Sequence, residues 1–346
     1  MGEAIAIVGA GAAGAGVAYA LRDADASVTV FEKSGGVSGR AATRRAEGCH
    51  YDYGANYVKA DDDRVADLVT EELDADGLVD VTDPVWVFDG DGSVSEGRDA
   101  DDHKWTYAEG ISQLGTRVFD ATDATIETGT RVTEPVREGG GWRLYGADGE
   151  DLGRFDAVVL TPPAPQTADL LGNANWEHEL CRELREAVAV VPYRTIVSAV
   201  LHYQFELDRP YYALVNTDDD HDVGWVSREE CKAGHVPDGE CLLIVQMSPD
   251  WSVAHYDDED AALTAAAAER VASLLDDERL GDPGWTDLQR WRYALPDDGV
   301  DTEAVERATD HGLYVAGDWV AGEARVHAAL RQGLETGDSI ADRSGG

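Results

Sequence analysis

The sequence predicts an α/β chain in which a Rossmann-type nucleotide-binding domain carrying a β-meander is interleaved with an α+β domain on a mainly antiparallel sheet. Three observations carry that expectation. Residues 3–32 read as strand, glycine turn, helix, strand. Residues 130–156 alternate and turn at Gly139, Gly140 and Gly141, then again at Asp148 and Gly149, as a meander does. Residues 195–207 and 241–247 read as further strands, and in the first of them Val197, Ala199, Leu201, Tyr203 and Phe205 share one face.

The opening unit carries the chemistry. An apolar run from Glu3 to Val8 stops at Gly9, and Gly9, Gly11 and Gly14 give the GxGxxG spacing. Such a turn lets a pyrophosphate approach the backbone and rest on the free amides of the following helix, with no lysine required. The second strand ends in Glu32, 23 residues after Gly9, where a carboxylate accepts hydrogen bonds from the adenosine ribose. An acid there disfavours a 2'-phosphate. The nucleotide expected is FAD or NAD rather than NADP.

Composition bounds the rest. At 346 residues with 43% hydrophobic content, nine Trp and thirteen Tyr, the chain can bury a large core and is expected to form two domains. It carries 69 acids against 28 bases, a formal charge of -41, and only four lysines, Lys33, Lys59, Lys104 and Lys232. Self-repulsion of that size is screened at about 1 M salt, where the Debye length is about 3 Å. The expectation is a salt-rich, halophilic cytoplasm and an acidic surface. Nucleic acid is excluded as a partner because its phosphates demand a basic footprint. Cys49, Cys181, Cys231 and Cys241 form no CxxC pair and no metal-ligand spacing, so buried thiols in a reducing compartment are expected and no metal. No run is long enough to span a membrane, and the N-terminus enters a strand with no basic segment before it, so a signal peptide is not expected.

Further along, residues 33–45 form a glycine stretch followed by Arg40, Arg44 and Arg45, the densest basic cluster in the chain. Residues 85–97 hold two short strands around a DGDG turn, and residues 109–122 have helical spacing. GGGW, residues 139–142, lies at a hairpin tip with no helix after it and is not a second nucleotide site. A buried strand within 155–165 ends in prolines, and residues 260–276 read as an alanine-rich helix. His202 falls on the opposite face from Val197 and Leu201, which suits either a satisfied histidine or a pocket wall. The acidic runs 61–63 and 218–220 read as solvated loops.

GAGAAG at 9–14, VFEK at 30–33, GGVSGRAATRR at 35–45 and DYGANYV at 52–58 occur in an order that resembles the renalase-like FAD-dependent oxidoreductases, a branch of the flavin amine oxidase superfamily. LQRWRYALP at 288–296 and GLYVAGDW at 312–319 extend the resemblance to the other end. Two departures are Ser38 and Asp25, where the family commonly has glycine.

The resemblance implies a glutathione-reductase-like FAD-binding domain over residues 1–80, 107–165 and 285–346, with a substrate domain over 81–106 and 166–284. It implies non-covalent FAD held by Gly9, Gly11, Ala12, Ala13, Gly14, Glu32, Lys33, Gly39, Arg40, Gly54, Ala55, Asn56, Tyr57, Val132, Gly317, Asp318, Val326 and His327. No catalytic dyad is evident. Tyr57, His202, Trp291, Arg292, Tyr293 and Arg325 are pocket candidates, and Arg292, Arg325 and Arg331 could meet an anionic substrate. The activity implied is hydride removal from a small molecule, with isomeric dihydronicotinamides as donors and oxygen as acceptor. Amine oxidation, isoprenoid or carotenoid desaturation, and non-catalytic nucleotide binding are the alternatives.

Overall fold

The computed structural model describes residues 2–97 and 102–344, so residues 98–101 of the expected 81–106 segment lie outside the described residues. Short apolar runs, joined at one edge by the exposed, β-branched Thr125–Thr128, form a five-stranded parallel sheet. Its order is Thr125–Thr128, Ala26–Glu32, Glu3–Val8, Ala157–Leu160, Leu313–Val315. Ile5 lies opposite Val28 on one side and Ala157 on the other, so the first strand is central and flanked on both edges.

The two faces of this sheet bury separate cores. On one, the helices Ala12–Ala20, Ser112–Asp120 and Val326–Ser344 cover Ile5, Ile7 and Val159. The first and last of these approach backbone to backbone: a Cβ on Gly333 would stand 2.1 Å from the Ala13 carbonyl oxygen. On the other face the meander, Val132–Glu138, Gly141–Gly146 and Asp151–Phe155, packs with the helices Ala164–Asn173 and Glu179–Ala189 over Ala6, Val8 and Val158.

A second sheet of seven strands runs in the order Trp285–Pro296, Tyr193–Tyr203, Cys241–Met247, Val223–Arg228, Ala213–Asn216, Val85–Phe88, Val94–Ser95. Every pairing in it is antiparallel except that of Ala213–Asn216 with Val85–Phe88. The helix Asp260–Leu274 covers one face, burying Leu263, Ala267 and Val271 against Val197, Leu201 and Val245.

Three segments fall on the other side of the expected domain boundaries. Residues 285–296 pair along Tyr193–Tyr203 and so belong to the seven-stranded sheet. Helices between 164 and 189 contribute to the core of the parallel sheet, because their apolar stripe (Leu170, Leu171, Leu180, Leu184, Val188) packs with the meander. Lys104–Tyr107 pairs with Val58–Lys59 and Leu78–Asp80, not with the seven-stranded sheet. Among the described residues no helix is long and apolar enough to cross a membrane.

Candidate functional site

A cavity of about 410 Å³ opens where the carboxyl ends of the parallel strands face the seven-stranded sheet. That is the size and the place expected of a ligand site in an open α/β sheet. One end is built by the glycine turn. Gly9 adopts φ +106°, and Gly14 packs so closely under it that a Cβ would lie 2.1 Å from the Gly9 carbonyl oxygen. Gly11 instead has nothing within 4 Å of the place a Cβ would occupy, and it caps the helix Ala12–Ala20 with no side-chain hydrogen bond. The amides at that helix start therefore face a cavity whose wall includes Gly11, Ala12 and Ala13.

Glu32 is buried and oriented: its Oε2 accepts from the Ala10 amide at 2.9 Å and its Oε1 from the Ser34 amide at 2.8 Å. Each oxygen keeps lone-pair capacity for a ribose hydroxyl. Ser38 sits at φ +83°, the conformation that the expected glycine would adopt freely. Its amide donates to the Ala10 carbonyl at 2.8 Å and its hydroxyl to the Ser112 carbonyl at 2.9 Å, bonds that hold the strained turn. Asp25 is not in a left-handed conformation, so no glycine is needed there.

Arg40 makes a two-pronged pair with Asp318, 2.8 Å to each carboxylate oxygen, and also donates to the Ala294 carbonyl at 2.9 Å. Burial works against its charge, but Asp318 outweighs burial and the pKa is raised. This pair ties residues 40, 294 and 318 into one wall. Gly54, Ala55, Asn56 and Tyr57 form the neighbouring wall, pinned by the seven-stranded sheet: Gln246 donates to the Gly54 carbonyl at 2.8 Å, and the Ser227 hydroxyl to the Asn56 side-chain carbonyl at 2.9 Å. Free helix-start amides, an oriented acid for a ribose and an open cavity fit a flavin dinucleotide.

Of the expected cofactor residues, Gly11, Ala12, Ala13, Arg40, Gly54, Ala55, Asn56, Tyr57, Gly317, Asp318 and Val326 come together on this wall. Gly9, Gly14 and Gly39 support the turn behind it. Lys33 is exposed and donates to Gln166 at 3.1 Å, Val132 is buried in the meander core, and neither reaches the cavity. His327 is also off the wall, 2% exposed and paired with Glu323 at 3.2 Å, with its pKa lowered by burial.

The pocket candidates divide. Tyr57, Trp291 and Arg325 line the cavity. His202 does not, because it is buried against Trp285, rings 5.0 Å apart, with its Nε2 2.8 Å from Glu240. Arg292 points away and covers the Tyr256 ring, 5.0 Å from its centroid, while Tyr293 packs edge-on against Tyr193. Arg331 is neutralised by Asp62 at 3.4 Å and by Glu323 and Glu335 at 3.9 and 3.8 Å.

Sequence reasoning missed the half of the wall that the seven-stranded sheet and its loops supply: Arg194, Ile196, Val215, Asn216, Asp219, Trp225, Gln246 and Met247. Trp225 and Asn216 lie in the two strands of one hairpin, whose place beside the cavity is set by the sheet order, and Asp219 sits in the acidic run 218–220 read above as solvated. A tryptophan between short strand signals was the one available hint.

Comparison with known proteins agrees with this construction. Residues 7–71 match an NAD(P)-binding Rossmann-like domain, and residues 85–341 match the family described as flavin containing amine oxidoreductase. Mouse (Mus musculus) renalase is 23% identical over 303 residues, covering 84% of each chain. Cyclohexylamine oxidase from Brevibacterium oxydans IH-35A superposes with a TM-score of 0.76 over 99% of both chains at 14% identity. A reduced UDP-galactopyranose mutase also reaches 0.76 at 11% identity, over 99% of this chain and 94% of that one, so the fold alone does not choose the reaction. The match over residues 85–341, added to the nucleotide turn and the cavity it opens on, makes this chain a member of the flavin-containing amine oxidoreductase family and an FAD-dependent oxidoreductase.

Proposed function

We propose that the chain oxidises isomeric dihydronicotinamides, with oxygen as the final acceptor. Arg325 carries the reading: it lines the cavity, its guanidinium donates only to the adjacent Ala324 carbonyl at 2.9 Å, and it has no carboxylate partner among the described residues. In a chain of charge -41 an unneutralised arginine on a cavity wall favours an anionic ligand.

Bound FAD supplies a two-electron acceptor. The protein's part is to hold and orient. Ala12 and Ala13 on the cavity wall would offer amides to the pyrophosphate, Glu32, buried and bonded to the Ala10 amide at the glycine turn, would take the ribose, and the Arg40–Asp318 pair fixes the neighbouring wall. Tyr57, Trp225 and Trp291 confine a flat ring. Burial is the largest influence on the Tyr57 phenol and raises its pKa over the opposing pull of Arg325 and Lys232, so it stays neutral. A dihydronicotinamide becomes aromatic as its hydride leaves and needs no base to remove a proton from carbon. The described cavity wall carries no histidine and no lysine, which suits that donor.

One observation favours amine oxidation as a second reading. Asp219, at φ +60°, is on the same wall and could attract an ammonium. Anaerobic bleaching of the bound flavin in concentrated KCl separates the two. Bleaching by isomeric dihydronicotinamides, and not by NADH or simple amines, is expected; bleaching by amines alone would transfer the assignment to the second reading. Arg325→Ala is expected to raise KM for a phosphate-bearing dihydronicotinamide by roughly ten- to a hundredfold, the loss of about 1.5–3 kcal/mol for charged hydrogen bonds. The riboside, which lacks phosphate, is expected to change little, and an equal loss for both would remove the phosphate role.

A further inference from the structure

Trp291 is the inner end of a chain of rings that leads out of the cavity wall. Tyr53 stacks on it with centroids 5.4 Å apart and planes 14° from parallel, and the Trp291 indole N–H donates to the Tyr53 carbonyl at 3.1 Å. Tyr51 follows edge-on at 6.5 Å. Its hydroxyl donates at 2.9 Å to Asp287, a half-buried carboxylate that also pairs with Arg44 at 2.8 Å. The Arg44 guanidinium lies over the Tyr53 ring, 4.2 Å from the centroid. The stack, the edge-on contact, the cation and the carboxylate form one continuous run of contacts from the cavity wall to a half-buried acid.

We propose that Trp291, Tyr53 and Tyr51 form a one-electron relay that drains oxidising equivalents from the cavity wall, with Asp287 taking the proton. An oxidase that meets oxygen needs such a drain, because an oxygen-derived radical formed in the cavity would otherwise damage its walls. The radical removes one electron from Trp291 and is itself reduced by one electron. Tyr51 refills Trp291 through the Tyr53 ring, and the Tyr51 phenolic proton passes along the 2.9 Å hydrogen bond to Asp287. The products are a neutral tyrosyl radical and a protonated carboxyl, so charge and electrons balance.

Two features assign Tyr51 as the resting place and Tyr53 as the bridge. A positive guanidinium over Tyr53 disfavours a positive hole on that ring, and among the described residues no acceptor is hydrogen-bonded to its hydroxyl. Tyr51 has its acceptor in place. Burial acts against ionised Asp287, but the hydrogen bonds from Arg44 and Tyr51 outweigh it and hold the carboxyl below its ordinary value, so it is ionised, and the proton moves to it because an oxidised phenol is a far stronger acid than a carboxyl group. Asp287 keeps 32% of its side chain in solvent, through which the proton can leave.

The inference rests on FAD binding and on the oxygen acceptor proposed above, and is independent of the reducing substrate. Its test is laser-flash excitation of oxidised FAD in the anaerobic, FAD-loaded chain in concentrated KCl, where the excited flavin serves as the one-electron oxidant. Time-resolved absorption and electron paramagnetic resonance then follow the radicals. A tryptophan signal that converts to a longer-lived tyrosyl signal, more slowly in D2O, is expected. Tyr51→Phe, with bound-flavin absorbance and circular dichroism intact, is expected to lose the tyrosyl signal, and Asp287→Asn to lose the conversion and its D2O sensitivity. Tyr145→Phe, in the meander and off the cavity wall, is expected to keep both. A tyrosyl signal unchanged in Tyr51→Phe, or no tyrosyl signal in the unaltered protein, overturns the relay. The second outcome needs no variant and so does not depend on one folding.

Discussion

Replacing Lys232 by methionine is expected to cost about 3–5 kcal/mol of stability, as removal of one partner from a buried ion pair does. That is a large share of the roughly 5–15 kcal/mol by which a domain is stable. Lys232 is fully buried between Asp52 at 2.9 Å and Glu229 at 2.8 Å, themselves fully buried. His235 completes the group, with Nδ1 2.9 Å from Glu229 and Nε2 2.9 Å from the Tyr107 carbonyl, so both ring nitrogens face acceptors. Without the ammonium, two carboxylates would share a site closed to water. Urea denaturation in concentrated KCl measures the loss, and a change below about 0.5 kcal/mol, the size of an ordinary surface substitution, would refute it. The double variant Asp52→Asn with Lys232→Met is expected to be less damaged than Lys232→Met alone, because it removes one of the stranded charges.

The same group predicts a pH window. Burial would raise the Asp52 pKa, but Lys232 and His235 outweigh it and the pKa is lowered from 3.8. Its contribution is fully present above that value and is lost as pH falls through the folded one. Lys232 is raised from 10.5, the two carboxylates outweighing burial, so its contribution is fully present below that value and lost as pH rises through the folded one. Between those limits the pair stabilises the fold at constant strength.

Gly11→Val is expected to leave the FAD-free protein folded while weakening FAD binding by at least about a hundredfold, about 2.7 kcal/mol. The backbone at Gly11, φ -80° and ψ -175°, suits any residue, and the side chain would meet no protein atom; it would project into the cavity. Gly14→Ala is the contrast, since its methyl meets the Gly9 carbonyl and must disturb the turn itself. Flavin titration with thermal melting of the FAD-free chains separates the two. A normal flavin affinity in Gly11→Val would mean that the pyrophosphate does not approach this turn.

The nucleotide half was legible because its signals are local. Glycine spacing, apolar runs and an acid at the end of the second strand each act within about thirty residues, and the turn and the meander follow from them, whereas the 54–57 wall came only from the family resemblance. The substrate half was not, because which strands become neighbours is decided by packing over long separations. The pattern of 288–296 announces a strand but not its partner, and so the segment was placed with the wrong sheet. A register shift between Arg194 and Ile196 alters what the facing strand meets near its end, where Tyr293 packs on Tyr193 instead of the cavity. His202 was placed on the correct face of its strand, but that face is covered by Trp285 of the neighbouring one. Lys232 left no pattern to read: a lysine is ordinarily solvated, and its burial depends on carboxylates 180 and three residues away.

The close approach of Gly333 to Ala13 has a consequence for how the protein is made. The glycine turn emerges from the ribosome early, yet the helix that packs against its helix, and the Asp318 that fixes Arg40, come some three hundred residues later. A nascent chain can hold the turn without being able to close on a dinucleotide. Flavin uptake therefore belongs after translation of the 318–344 segment, and until then the growing chain must rely on its own cores, not on the cofactor, to resist aggregation.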